Sequence, residues 1–370
     1  MIRILHVLGG TNLGGAESRT MDLFRHMDPK QVSFDFLVHS AGAGFYDEEI
    51  RQLGGQIYHV PRFKVYNYFA YKKAVKLFFA EHHMYRAVQG HMTSTASIYL
   101  PIAKKQGVTM TIAHARSAGV DQGVKGILTK WLRHNLAKKA DFLFACSRIA
   151  GEAAFGKKAA EEGRIIVIPN AITTEKFVYT QKTREQIRGE LSVQDKFVIG
   201  HVGRFHYAKN HEYLLQIFEE LRRLEPQAVL LLLGEGEGMP AMQELAKKLQ
   251  IEDAVIFAGN QKNVQDYYQA MDYFVFPSRF EGLPGTVIEA QAAGLRCLIS
   301  DTIAEEVRIS ELVQTMSIQD APESWAAFVA AHRNYERMDQ SDRIRTSGFD
   351  STLQAEKMMN FYETGDGNSL

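Results

Sequence analysis

Cysteine is nearly absent: the 370 residues contain two, Cys146 and Cys297, each inside an apolar run (DFLFACS and GLRCLIS). That excludes a disulfide framework and a cysteine-based metal knuckle, and it fits buried thiols in a reducing cytoplasm. Long apolar runs are also missing. Stretches such as Ala228 to Leu233 fall far short of the ~20 residues a membrane-spanning helix needs. The opening MIRILHVLGG has no basic leader and no small-residue cleavage site, so it reads as a buried strand and not as a signal peptide. The chain also lacks a Ser-His-Asp ordering, an H-E-x-x-H helix, a P-loop and any Asp-x-Asp pair.

What is present is an ordinary globular balance, with 45% hydrophobic and 23% charged residues. At roughly 150 residues per domain the length predicts two domains, and the composition excludes disorder, collagen and coiled coil. The formal net charge of zero hides a polarity. Residues 1–170 hold 23 Lys+Arg against 13 Asp+Glu (+10), and residues 171–370 hold 20 against 30 (−10). Two stretches of the basic half contain no acid at all: Arg62 to Lys76, with five basic and five aromatic residues, and Lys125 to Lys139, with five Lys/Arg and His134. A basic half beside an acidic one points to an anionic surface for the first half alone. No nucleic-acid partner is expected.

Strand and helix patterns alternate along both halves. Ile2–Leu8, 34–39, 87–90, 109–113, Phe142–Ala145 and 165–168 read as buried strands, with helices over 16–27 and 125–140. The pattern restarts with strands at Phe197–Val202, Ala228–Leu233, 255–258, 273–277 and Arg296–Ser300, and helices at His211–Leu224, 239–249, 264–271 and 285–293. Near-continuous apolar strands alternating with helices mean parallel sheets covered on both faces. The fold class is α/β, with two doubly wound, Rossmann-like domains joined within 169–193, where Pro, Asn and polar residues break the periodicity. In such sheets ligands sit beyond the carboxyl ends of strands, and with two domains the default site is a central cleft that they both face.

The most informative segment is FPSRFEGLPGTVIEAQAA, 276–293. A strand ends, a loop with two glycines follows, and a helix starts near Gly285. The free N–H groups of that helix start can hold an anion such as a diphosphate. Glu281 and Glu289, eight positions apart, would repel phosphate but could each accept from a diol of a sugar or ribose; the bland alternative is two solvated carboxylates beside a capping loop. After the strand ending at Val202 comes Gly203-Arg204 and then Lys209, one planar fork and one point charge suited to a diphosphate leaving group. The loop Gly9 to Glu17 permits close backbone approach, but its spacing is not G-x-G-x-x-G and the second strand ends at His39-Ser40 without an acid, which disfavours a dehydrogenase. His114 and His91 each follow a strand.

At these residues the chain resembles the retaining GT-B glycosyltransferases of family four, in particular the capsular and exopolysaccharide branch. The resemblance rests on Gly14-Gly15-Ala-Glu17, Ile168-Pro-Asn-Ala-Ile172, Gly203-Arg204…Lys209 and Glu281…Glu289 with its E-x7-E spacing. It implies an N-terminal acceptor domain over 1–172, a donor domain over 173–349, and a helix within about 350–370 packing back on the first domain. It implies further that Arg204 and Lys209 hold the donor diphosphate and that Glu281 contacts the transferred sugar. Glu289 would hold the ribose diol, and Gly203 with the Gly282, Leu283, Pro284, Gly285 and Thr286 backbone would cradle the donor. Gly14 and Gly15 would approach it from the opposite domain. His114 matches the family's active-site histidine, with His91 and Arg116 on the acceptor side; Arg116 stands where relatives often carry a second histidine.

The expected activity is metal-independent, retaining transfer of a hexose or N-acetylhexosamine from a UDP-sugar, with no cofactor, to a saccharide or lipid-linked acceptor in cell-surface polysaccharide synthesis. A sugar-nucleotide epimerase or hydrolase of the same architecture and a non-catalytic partner subunit are the alternatives. The expected location is cytoplasmic. The helix carrying Leu128, Trp131, Leu132 and Leu136 would rest on an anionic inner membrane face through Lys125, Lys130, Arg133, Lys138 and Lys139.

Overall fold

A computed structural model describes residues 1–116 and 124–370. The chain forms two compact units, Met1–Ala171 with Asp350–Leu370, and Ile172–Phe349. The first is built on a seven-stranded sheet of β1 (Ile2–Leu8), β2 (Val32–Val38), β3 (Ile57–His59), β4 (Tyr85–Gly90), β5 (Met110–Ala115), β6 (Phe142–Ala145) and β7 (Ile165–Val167). Their order is β3-β2-β1-β4-β5-β6-β7, parallel throughout. The second has β8 (Phe197–Val202), β9 (Ala228–Leu233), β10 (Val255–Gly259), β11 (Tyr273–Phe276), β12 (Arg296–Ser300) and β13 (Val313–Met316), in the order β10-β9-β8-β11-β12-β13. Both orders reverse direction beside the first strand of the unit, the topological switch point of doubly wound sheets.

Continuous apolar strands and helices on each face bury one core per unit. In the first, Ile4, Phe34, Phe36, Ile112 and Phe144 pack with Met358, Phe361 and Tyr362 of the helix Ser351–Thr364. That helix starts where Asp350 accepts from the N–H groups of Thr352 and Leu353, an N-cap that satisfies two otherwise orphaned donors. In the second, Leu214, Leu215 and Phe218 of the helix His211–Leu224 pack on Leu230, Leu232 and Trp325.

Three expectations change. Edge strands β3 and β13 were not expected, and the polar join contains a helix, Gln181–Glu190. The helix expected over 125–140 spans Val124–Arg133; left-handed Asn135 (φ 62°) ends it, and Leu136–Lys138 form a separate 3-10 turn. Leu132 and Leu136 are buried, so they support the unit from inside while Ile127 and Trp131 face outward. No helix among the described residues is long and apolar enough to cross a membrane.

Candidate functional site

Strands β8 and β11 are hydrogen-bonded neighbours, so the loops that follow them meet. Arg279 N–H donates to Ala208 O (2.8 Å), and Asn210 Nδ2 donates to Pro277 O (3.1 Å). Asn210 takes the left-handed conformation (φ 57°) that turns the chain into the helix His211–Leu224. Through this junction Lys209 reaches Glu281, with Nζ 2.7 Å from Oε1 and both side chains largely shielded. The ammonium also lies 4.5 Å from the centroid of Phe276, over its ring. A Cβ at Gly203 would stand 3.1 Å from Cδ and Cε of Lys209 and 3.1 Å from His201 Nε2, so glycine lets the lysine stem lie against the strand end. Gly234, at φ 128°, lies so close that a Cβ there would be 2.2 Å from Gly203 O. Arg204 is exposed beside this assembly.

Glu281 opens the segment that Gly282, Leu283 and Pro284 carry, buried, into the helix Gly285–Ala292. No side chain caps that helix and no acid sits in its first turn, so its positive end is uncompensated by the sequence. The hydroxyls of Ser278 and Thr286 and the Nε of Arg279 are buried without a hydrogen-bond partner among the described residues. Glu289, one turn into the helix, is 4% exposed and accepts from Tyr268 Oη at 2.8 Å. Neither glutamate is a freely solvated surface carboxylate. The structure therefore brings Gly203, Lys209, Glu281 and the Gly282–Thr286 turn together, with Glu289 one turn further along.

In the first unit, Gly14 and Gly15 open the helix Gly15–Arg25. A Cβ on Gly15 would meet nothing within 4 Å, so no contact in its own unit requires glycine there. The carboxyl ends of β1, β4 and β5 gather His6, Gln89, His91, His114 and Arg116. Arg116 Nε donates to His91 Nδ1 (3.2 Å) and its Nη1 to Asn170 Oδ1 (2.9 Å). With Nδ1 of His91 accepting, its Nε2–H donates to His6 Nδ1 (2.9 Å). The His91 and His114 ring centroids are 5.3 Å apart. Burial, reinforced by the Arg116 charge, holds His6 down at about 3 and His91 and His114 well below the ordinary histidine value, so the rings are neutral. Burial also lowers the Arg116 guanidinium, to about 10, which leaves it charged.

His6, Gln89, Tyr268 and Tyr362 escaped the sequence reading. The available signal was polar residues inside apolar strands, His6 in IRILHVL and Gln89 in YRAVQG, which need buried partners.

The residues 182–343 match the family model for glycosyl transferases group 1, and 13–176 match that for glycosyltransferase family 4. A relative named as a glycosyltransferase, EpsF of Bacillus subtilis strain 168, is 32% identical over 368 residues, covering 97% of this chain and 96% of its own length. The chain belongs to glycosyltransferase family 4. The capsular polysaccharide biosynthesis glycosyltransferase CapH of Staphylococcus aureus is 23% identical, covering 89% of this chain and 90% of CapH. Among solved structures, Anabaena Alr3699/HepE in complex with UDP and glucose superposes with a TM-score of 0.80 at 16% identity, over 98% of this chain and 100% of HepE. That likeness carries the fold: two Rossmann-like units, as in GT-B glycosyltransferases.

Proposed function

We propose that this glycosyltransferase moves a hexose or N-acetylhexosamine from a UDP-sugar, with retention of configuration, to a saccharide or lipid-linked saccharide in cell-surface polysaccharide synthesis. The observation that carries the reading is the meeting of Lys209 and Glu281 beside the uncapped start of the helix Gly285–Ala292. A diphosphate is received by cations and amide dipoles, and a carboxylate within ion-pair reach of the same lysine accepts from hydroxyls of the transferred sugar. Lys209 and Arg204 stabilise charge on the departing UDP, the role a divalent ion fills elsewhere, so no metal is needed. The departing phosphate oxygen takes the acceptor proton as the acceptor enters on the same face through an oxocarbenium-like state. Glu289, buried and held by Tyr268, grips the ribose diol. Gly14 and Gly15 pass close to the donor, His114 meets the transferred sugar, and His91 and Arg116 serve the acceptor side. The names and complexes of CapH and HepE, a capsular enzyme and a UDP-bound one, support the substrate class.

The acceptor side fits a lipid-borne substrate. The helices Tyr68–Glu81 and Val124–Arg133 both pack on the helix Thr93–Lys105, which places them on one side of the sheet. These helices and the segments flanking them in sequence expose Tyr66 (83%), Phe69 (81%), Ile127 (71%) and Trp131 (70%), with exposed Arg62, Lys64, Lys73, Lys76, Lys130, Lys138 and Lys139. Aromatic rings among cations suit the interface of an anionic bilayer. Arg133 does not join them: its Nε donates to Thr93 Oγ1 (2.9 Å), inside the unit. The side chain of Lys125 lies outside the described residues.

A thermal-shift panel of UDP-, GDP-, ADP- and CDP-sugars tests the donor assignment. Stabilisation by UDP-sugars above the others is expected; preference for another nucleotide, or none, would overturn it.

A further inference from the structure

The first unit contains a hydrogen-bond chain that ends on His114. Tyr362, fully buried on the helix Ser351–Thr364, donates its hydroxyl to Gln89 Oε1 (2.6 Å). Gln89 Nε2 in turn donates to His114 Nδ1 (2.8 Å). An amide nitrogen only donates, so Nδ1 of neutral His114 must carry the lone pair and Nε2 the proton. That Nε2 is buried and has no hydrogen-bond partner among the described residues.

We propose that Gln89 and Tyr362 are positioning residues: they lock His114 in the tautomer that presents Nε2–H as a hydrogen-bond donor to an oxygen of the transferred sugar. This rests on the reading above that His114 meets that sugar. The direction of the chain comes from Tyr362. A glutamine amide is nearly symmetric in shape, and turned over it would offer Oε1 to His114, selecting the opposite tautomer and removing the donor at Nε2. A phenol can also accept, but with the amide turned over the buried Tyr362 hydroxyl would accept from Nε2 and leave its own proton without the Oε1 acceptor it now has, which opposes that turn. His114 so held cannot act as a base at Nε2, where it has no lone pair, and it selects for an oxygen acceptor on the sugar. The C-terminal helix thereby takes part in the chemistry of a residue far from it in sequence.

The described titratable groups around His114 are His91, His6 and Arg116, with Tyr362 behind Gln89. None of them supplies an acceptor for a proton on Nδ1, which makes Gln89→Glu a sharp probe. A carboxylate at 89 would bind Nδ1–H. At lower pH the imidazolium would still donate from Nε2, but at higher pH the neutral ring would keep its proton on Nδ1 and lose the donor.

The test combines histidine-selective 15N NMR with kinetics on the full chain, the His114 signal being assigned by its loss in His114→Asn. In the wild type the Nε2-protonated tautomer is expected to persist from about pH 6 to about pH 9. In Gln89→Glu the signal should pass from imidazolium to the Nδ1-protonated form, with kcat falling about tenfold across the same titration, the scale of one hydrogen bond, while UDP affinity stays constant. Tyr362→Phe, which removes one hydroxyl and keeps the packing, should show both tautomers and an intermediate kcat, so the outcome does not hang on whether the buried carboxylate folds. A His114 signal unchanged by Gln89→Glu and Tyr362→Phe would overturn the positioning role and leave the sugar contact standing. A tautomer change with unaltered turnover would overturn the sugar contact, and this proposal with it.

Discussion

Lys209 Nζ and Glu281 Oε1 stand 2.7 Å apart, one after β8 and the other after β11. The pair holds a cation and a carboxylate in one place, so each orients the other. Lys209→Ala and Arg204→Ala should each lower turnover by roughly two to three orders of magnitude, the scale for one preorganised charge stabiliser. Steady-state kinetics at saturating acceptor measure it. Glu281→Ala should reduce transfer similarly while leaving affinity for UDP, which has no transferred sugar, nearly unchanged.

Metal removal separates cationic from metal-assisted departure of UDP. Activity is expected to survive EDTA, because Arg204, Lys209 and the helix start carry the charge. A strict requirement for added Mg²⁺ or Mn²⁺ in the same assay would reverse that assignment.

The Glu289–Tyr268 contact is buried, so its loss should appear in stability as well as in binding. Tyr268→Phe takes a donor from a buried carboxylate and should cost about 1–3 kcal/mol in urea unfolding. Nucleotide affinity should fall with it, since the carboxylate would lose a contact that orients it for the ribose diol.

Six buried histidines predict acid lability. His6 and His211 are held at about 3 against 6.5 when exposed, His91, His114 and His201 lie well below 6.5, and His39 is lowered as well, all chiefly through burial. Below 6.5 the unfolded chain binds protons that the folded chain refuses, so stability is fully present above that pH and is lost as pH falls towards about 3. Thermal unfolding should give a Tm that does not respond to these groups on the alkaline side and falls steeply on the acid side. A Tm insensitive to pH across that acid range would contradict the neutral state of these rings.

The exposed aromatic face makes its own prediction. Replacing Phe69 and Trp131 by serine removes two large exposed side chains and should weaken binding to anionic vesicles by about tenfold or more, the scale of burying one such side chain. Turnover on a short water-soluble acceptor should not change. Equal flotation of wild type with neutral and anionic vesicles, or none with either, would remove the membrane from the account.

The sheets were largely legible because their central strands are apolar runs: Phe142–Ala145, Phe197–Val202, Ala228–Leu233 and Arg296–Ser300 stand where the sequence places them. Strands β3 and β13 were not, since Ile57–His59 and Val313–Met316 are short, partly exposed edges without such a run. The helix after residue 124 ran too long in the sequence reading because Lys, Leu and Ala all favour helix and nothing local marks Asn135 as left-handed. At the candidate site, motif spacing showed which residues follow strand ends. It could not show that Lys209 pairs with Glu281, because that follows from β8 and β11 being neighbours in the sheet. The Tyr362–Gln89–His114 chain was equally hidden, since it needs the last helix to return to the first sheet.

Calorimetric titration of UDP into the wild type and into an Arg204→Ala, Lys209→Ala double variant tests the central assignment most directly. Saturable binding of one UDP per chain, weakened at least a hundredfold in the variant, is the predicted result, about the loss of two charge-assisted contacts. Equal affinity in both proteins, or no binding to the wild type, would contradict it.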